Sequence, residues 1–256
     1  MKSKRIDAVE KYIHKKKKVS LKELEKNFDL SMNTVRRYVK TLLDKGNIIK
    51  VYGGVESIRD LDEEEVLVDV NKRNILNITQ KKIIAEKAAK YIDDGDRIYI
   101  DSGTTTAWIL DYVDKNINLT IITNNLDVIN KAAKLPNVNI ILSGNNYRKR
   151  INAFVKLGNH TVLDKINIHK SFMAASSVTK DSGVMNNTVE EYELKSNVIS
   201  KCLVNYLLVD ESKFNNSGFI KYAEVEDFKA IITTAMEDVA LKDYLEFKGV
   251  EVIEVR

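Results

Sequence analysis

At 256 residues, 44% hydrophobic and 30% charged, the chain has ordinary globular proportions, with room for one large α/β domain and a small one and nothing collagen-like, coiled-coil or disordered in its composition. No stretch approaches the roughly 20 apolar residues that span a bilayer, and the basic N-terminus lacks an apolar core run or a small-residue cleavage site, so the expected location is the cytoplasm with no membrane partner. The net charge of +4 hides an asymmetry: residues 1–60 carry 16 Lys and Arg against 8 Asp and Glu, whereas the remainder carries 25 against 29, a basic head on a mildly acidic body. The single cysteine, Cys202, sits in an apolar run and reads as a small buried side chain.

The head, residues 1–55, reads as three short helices and a hairpin. Ile6, Val9 and Ile13 lay an apolar stripe along a first helix from about Lys4 to Lys15. Ser20 caps a second, with Glu23 placed to close a capping box and Leu21, Leu24 and Phe28 as its stripe. Ser31 caps a third, in which Val35, Val39, Leu42 and Leu43 share one face and Gly46 stops it. At 100° per residue, Asn33, Arg37, Lys40 and Thr41 fall opposite that apolar face, with Thr34 and Arg36 on its flanks. Asn and Arg side chains can bond adenine and guanine edges at two points, and spare basic groups neutralise phosphates. Helix, short turn and polar second helix make a helix-turn-helix, and "NIIKVYGGV" reads as two strands around a turn at Gly53 and Gly54, a wing. The candidate DNA-binding set is Ser31, Asn33, Thr34, Arg36, Arg37, Lys40 and Thr41, with Lys50 and Tyr52 from the wing. A generic three-helix bundle with a solvated basic face is the alternative, which the capping, spacing and wing together disfavour.

Residues 56–75, "ESIRDLDEEEVLVDVNKRNI", read as an acidic linker. The body, residues 76–256, alternates helical stripes with short apolar runs such as "RIYI", "LTIIT", "VNIIL" and "YLLVD", which implies a mostly parallel sheet covered on both faces. Ligands of such sheets bind beyond the carboxyl ends of the strands. At those ends stand Asp101, Ser102, Gly103, Thr104 and Thr105; then Thr123, Asn124 and Asn125; then Ser143 and Gly144, followed by Arg148; then Lys213 in "DESK". "DSGTTT" lies between a strand and an expected helix, where unpaired N–H groups and a helix dipole hold phosphate. With Glu191 added, these residues form the candidate effector set, a pocket of hydroxyls, amides and a lysine suited to a phosphorylated polyol.

"VSLKELEKNFDLSMNTVRRYVKTLLDKGNIIKVYGGV" resembles the winged helix-turn-helix of the DeoR family of bacterial transcriptional regulators, and "DSGTTT", "TNN", "LSG" and "LLVDESKF" resemble that family's C-terminal sugar-phosphate sensor. The resemblance covers nearly the whole chain in order. It implies a sensor fold related to ribose-5-phosphate isomerase, a sugar-phosphate effector and a homo-oligomer, dimer or tetramer, on double-stranded operator DNA. It further matches Arg73 and Lys81 to basic positions of the family, which could link pocket and linker. Four positions depart from the pattern: Tyr38 in place of a common Asp, His169 likewise, Lys156 in place of a frequent Gly, and Ser143 in place of a Gly.

An isomerase needs a base and a group that stabilises an enediolate, roles in which Asp101, Glu191 and Lys213 can be cast. The three histidines, His14, His160 and His169, show no metal-ligand spacing, and a dedicated isomerase has no use for a recognition helix. The expectation is therefore a regulator, with no catalytic or metal-binding residues and no cofactor beyond its effector, that acts as the repressor of a sugar uptake or catabolism operon. An isomerase-like enzyme and a regulator with a ligand-silent assembly domain stand as the alternatives.

Overall fold

The computed structural model describes residues 2–16, 18–44, 48–51, 54–57, 77–155, 162–214, 216 and 218–256. Tyr52, Gly53, Arg73, Lys156, His160 and residues 58–75 of the expected linker lie outside the described residues. The chain divides into two compact units, Met1–Val68 and Asp69–Arg256.

In the first unit, α1 (Lys2–Lys16), α2 (Leu21–Phe28) and α3 (Met32–Asp44) pack with β1 (Lys18–Ser20), β2 (Ile48–Val51) and β3 (Gly54–Ser57). The core joins Val9 and Ile13 of α1, Leu24 of α2, and Val35, Tyr38 and Leu42 of α3 to Val19, Ile48 and Val55 of the strands. Full burial of a side chain of this size contributes roughly 1.5–3 kcal/mol, so the strand residues are as much a part of the head's stability as the helices. The strands form one antiparallel sheet in the order β1-β3-β2, a strand more than the sequence pattern announced. Gly54 does not lie in the turn: it is the first residue of β3, paired with both Ser20 and Val51, and β3 continues through Ser57 because Glu56 and Ser57 still have partners. Ser20 ends β1 and caps α2, accepting the Glu23 N–H at 3.1 Å, while the Glu23 carboxylate accepts the Tyr12 hydroxyl and ties α1 to α2. The turn before α3 is closed by Asp29, left-handed at φ 47, and by the Leu30 N–H donating to the Glu25 carbonyl.

The second unit holds a seven-stranded parallel sheet in the order β15-β14-β12-β9-β4-β5-β6. Its strands are β4 (Arg97–Ile100), β5 (Leu119–Thr123), β6 (Val138–Leu142), β9 (Lys170–Met173), β12 (Val204–Leu208), β14 (Ala230–Thr233) and β15 (Glu251–Glu254). The helices α4 (Ile78–Ala89), α5 (Leu126–Ala132), α6 (Val189–Lys201) and α7 (Val239–Phe247) alternate with them. Two apolar clusters occupy the sheet's faces, one around Ile84, Ile98, Ile100, Ile109 and Phe172, the other around Tyr99, Met173, Val198, Leu207 and Leu241. The β residues alternate between these clusters, which is why the central strands read as continuous apolar runs. Two smaller elements are antiparallel: a hairpin of β7 (Asn146–Arg148) and β8 (Ala153–Val155), and a three-stranded sheet of β10 (Ser177–Thr179), β11 (Gly183–Asn186) and β13 (Ile220–Ala223).

One expected element differs. The segment after "DSGTTT" is a 3₁₀ helix, Thr106–Asp111, rather than an α-helix. Its entry is drawn tight by the Trp108 N–H donating three residues back to the Thr105 carbonyl, and by the Thr106 hydroxyl, which donates to the carbonyls of Asp101 and Gly103.

Candidate functional site

In the head, α3 leaves Asn33, Arg36, Arg37, Lys40 and Thr41 exposed, with Thr34 half-buried and Lys50 exposed on β2. Ser31 and Thr34 serve the start of the helix: the Ser31 hydroxyl lies 3.0 Å from that of Thr34 and accepts the Thr34 N–H. The Thr41 hydroxyl donates back to the Arg37 carbonyl. Tyr38 faces the core, 8% exposed, so the residue that departs from the family pattern lies inside the head, with the Arg37 guanidinium 5.7 Å from its ring. Asn33, Arg36, Arg37 and Lys40 thus share one polar, cationic face.

In the second unit, the chain runs from β4 outward to β5 and β6, then returns to the other side of β4 as β9. The boundary between β4 and β9 is therefore a topological switch point, where parallel α/β sheets open a crevice for ligands. Residues 101–105 leave β4 at that boundary. Asn125 Nδ2 donates to the carbonyls of Asp101 and Gly103, the same two that the Thr106 hydroxyl takes up at 2.8 Å each. With its carbonyls so engaged, the loop leaves the N–H groups of Ser102, Gly103, Thr104 and Thr105 without an acceptor among the described residues. Consecutive unpaired amides form an anion-binding nest. Gly103 is required by close approach: a Cβ there would lie 2.3 Å from the Ala174 Cβ at the end of β9.

Beneath the loop is a buried ion pair. Asp101 Oδ2 accepts from the Lys195 ammonium at 2.6 Å and from the Ala174 N–H at 3.0 Å, and both side chains are almost fully buried, 1% and 5% exposed. Lys195, on α6, also donates to the Ala174 carbonyl, which the Tyr222 hydroxyl shares, and its ammonium stands 5.0 Å from the Tyr222 ring. Burial, and then the charges of Asp101 and Glu191, push the hydroxyls of Tyr99 and Tyr222 well above their ordinary pKa, so both act as protonated donors. The pattern of polar residues at strand ends did not point to Lys195. A lysine one turn from Glu191 and one turn before the buried Ile199, flanked by Leu194, was its only trace.

The other expected pocket residues divide by what their side chains already hold. Thr123 donates to the Ile100 carbonyl and accepts the Asn125 N–H; Asn124 accepts from Tyr99 and donates to the Phe154 carbonyl; Asn125 caps α5 through the Asp127 N–H. All three are buried, and Asn125 is the one bonded to the loop's carbonyls. Gly144, at φ +106, turns β6 into the β7-β8 hairpin where a Cβ would meet the Phe154 carbonyl oxygen at 2.7 Å. Arg148 stands exposed on that hairpin, paired with Ala153, not in the loop that leaves β6. Lys213 is half-exposed on a 3₁₀ turn after β12. Before it, buried Asp210 accepts from the Ser212 N–H and hydroxyl and from Asn77 Nδ2 at 3.2 Å, fastening this loop to the residue that precedes α4.

His169 lies at the opposite, amino-terminal edge of the sheet, where it opposes any contact with a ligand at the carboxyl edge. Its Nδ1 is 3.1 Å from Asp96 Oδ1, and Lys170 donates to Asp96 and Asp93. Burial alone would raise the Asp96 carboxyl, but the bonds from Lys170, the Asp93 N–H and His169 hold it below its ordinary value of 3.8. Among the described residues, no group of three or more His, Cys, Asp and Glu side chains could hold a metal ion, and no helix is long and apolar enough to cross a membrane.

An outward cationic helix face on a winged head, and a switch-point amide nest in a parallel α/β unit, define the class of DNA-binding transcriptional regulators with a sensor unit. Comparison with known proteins narrows the class. Residues 5–60 match the DeoR-like helix-turn-helix domain and residues 76–235 the DeoR C terminal sensor domain. The HTH-type transcriptional regulator IolR of Bacillus subtilis is 44% identical over 91% of this chain and 92% of its own length. The lactose phosphotransferase system repressor of Staphylococcus epidermidis is 30% identical over 97% of this chain and 98% of its own. The chain belongs to the DeoR family and is a transcriptional regulator, not the isomerase-like enzyme weighed as an alternative. Ribose 5-phosphate isomerase A of Methanocaldococcus jannaschii overlaps 54% of this chain and 55% of its own at 17% identity, and at a TM-score of 0.41 that likeness carries no argument.

Proposed function

We propose that this regulator is a cytoplasmic repressor of a sugar uptake or catabolism operon, and that a phosphorylated sugar bound at residues 102–105 modulates its grip on operator DNA. The observation that carries the effector reading is the run of N–H groups from Ser102 to Thr105 that have no acceptor among the described residues, at the switch point. Ser102, Thr104 and Thr105 add hydroxyls to that cradle, and Lys213, across the end of β9, supplies a cation for the ligand's far side. Asp101, Thr123, Asn124 and Asn125 hold the loop in shape. On the DNA side, Asn33, Arg36, Arg37 and Lys40 enter the major groove, with Thr41 and Lys50 toward the phosphates. The names of the relatives agree with this reading: one is a lactose phosphotransferase system repressor.

Repression by a homo-oligomer requires two heads at a fixed spacing, so a small change in their placement weakens binding. Asn77, bonded to Asp210 in the β12 loop, stands where residues 58–76 deliver the chain to the sensor and is the natural start of the coupling path. Calorimetric titration with a panel of sugar phosphates and their unphosphorylated parents tests the effector reading. Binding of one phosphorylated member, lost with its parent sugar, is the expected result. Equal binding of sugar and sugar phosphate would remove the cradle from the account, and no binding at all would favour a ligand-silent assembly domain.

A further inference from the structure

Both carboxylate oxygens of Glu191 are engaged. Oε2 accepts the Thr188 hydroxyl at 2.6 Å, the Thr188 oxygen accepts the Glu191 N–H at 3.3 Å, and Oε1 accepts the Ser102 hydroxyl at 3.2 Å. The first two contacts cap α6. The third has no part in capping: it ties the first turn of α6 to the loop whose amides have no acceptor among the described residues.

We infer that Glu191 is a resident anion of the phosphate loop, holding the Ser102 hydroxyl until a phosphorylated ligand displaces it, so that it weakens phosphate binding instead of supporting it. This deepens, and rests on, the reading of residues 102–105 as a phosphate cradle. A phosphate bonded to those amides lies within a few ångströms of a carboxylate that is one hydrogen bond from Ser102, and two anions that close repel strongly away from bulk water. Lys195, the buried cation one turn along α6, does not relieve the repulsion, because it is already bonded to Asp101.

Displacement has a mechanical consequence. Glu191 and Lys195 stand one turn apart on α6 and grip the consecutive residues Ser102 and Asp101. A phosphate that takes Ser102 frees the first turn of α6 while the next turn stays fastened to Asp101. Arrival of the ligand becomes a movement of one helix end. If Glu191 instead read a sugar hydroxyl, removing its charge would lower affinity, the opposite sign.

The test is calorimetric titration of the full chain, wild type and Glu191→Gln, with inorganic phosphate and with D-ribose 5-phosphate at fixed ionic strength. Gln removes the charge and keeps an acceptor oxygen for one of the two hydroxyls, with its NH2 turned to the other. Glu191→Gln is expected to bind both probes about tenfold or more tightly than wild type, and Glu191→Ala serves as a second variant with the same expected sign. Equal or weaker binding by both variants, with binding by wild type intact, overturns the competitor role and leaves the cradle standing. Tighter binding that persists when Gly103→Val is added places the phosphate elsewhere and also overturns it. No binding by wild type or variants removes the cradle and the inference together.

Discussion

Replacing Lys195 with Met tests how the floor of the effector loop is held. Met keeps the length of the side chain and removes the ammonium that bonds Asp101 at 2.6 Å and the Ala174 carbonyl at 2.8 Å. Breaking a buried pair by removing one partner costs roughly 3–5 kcal/mol, because a charge is left behind without compensation. Asp101 would retain the Ala174 N–H, and the Ala174 carbonyl would retain Tyr222 as a donor, so the lower end, about 3 kcal/mol, is expected. Adding Asp101→Asn removes the stranded charge and should restore a large part of the loss. Urea denaturation followed by tryptophan fluorescence suits the purpose, since the single tryptophan, Trp108, lies in the sensor unit and reports that unit's unfolding. A Lys195→Met variant within about 0.5 kcal/mol of wild type, or a double variant no better than the single, would refute the claim that this pair fastens the loop.

Three further outcomes are expected. Arg37→Ala should weaken operator binding by about 1–3 kcal/mol in anisotropy titrations while leaving calorimetric effector binding unchanged. Gly103→Val should do the reverse, since its side chain must displace Ala174 from the end of β9; identical defects in both variants would indicate misfolding and not separate duties. Asp96→Asn should destabilise the sensor by about 1–2 kcal/mol at neutral pH, measured by urea midpoints. Because the Asp96 pKa is lowered in the folded protein, its contribution is present above 3.8 and lost as pH falls through the folded value, so the two proteins should converge in acid. Lys170, raised above 10.5, sets the other limit: its share is present below that value and fades only as pH rises beyond it.

Much of the architecture is legible in the sequence because its periodicities are clean. The 3.6-residue stripe of α3 sets Val35 and Leu42 inward and Arg37 and Lys40 outward, and the apolar runs of β4, β5 and β6 coincide with the strands themselves. Short elements are harder to read. β1 is three residues beside a lysine run, and only Val19 carries its apolar signal; Gly54 reads as turn because a glycine's value to a strand, close approach of its neighbours, leaves no pattern. At the site, polarity at strand ends marks which residues gather there but not which are free. Asn124 and Asn125 stand among the candidate effector residues in sequence, and their protein partners are not legible there, since only the fold brings Tyr99, Phe154 and the Asp101 carbonyl to them. Lys195 is hidden for the converse reason: a helical lysine reads as solvated until a buried carboxylate, 94 residues earlier in the chain, is placed opposite it.

The most direct test of the account is fluorescence anisotropy of the full chain on DNA from upstream of its own gene and neighbouring operons, at fixed salt, with and without sugar phosphates. The account predicts tight, sequence-selective binding that one sugar phosphate weakens and that Gly103→Val makes indifferent to that ligand. Selective binding that every sugar phosphate leaves unchanged, in equilibrium and in rate, would contradict it.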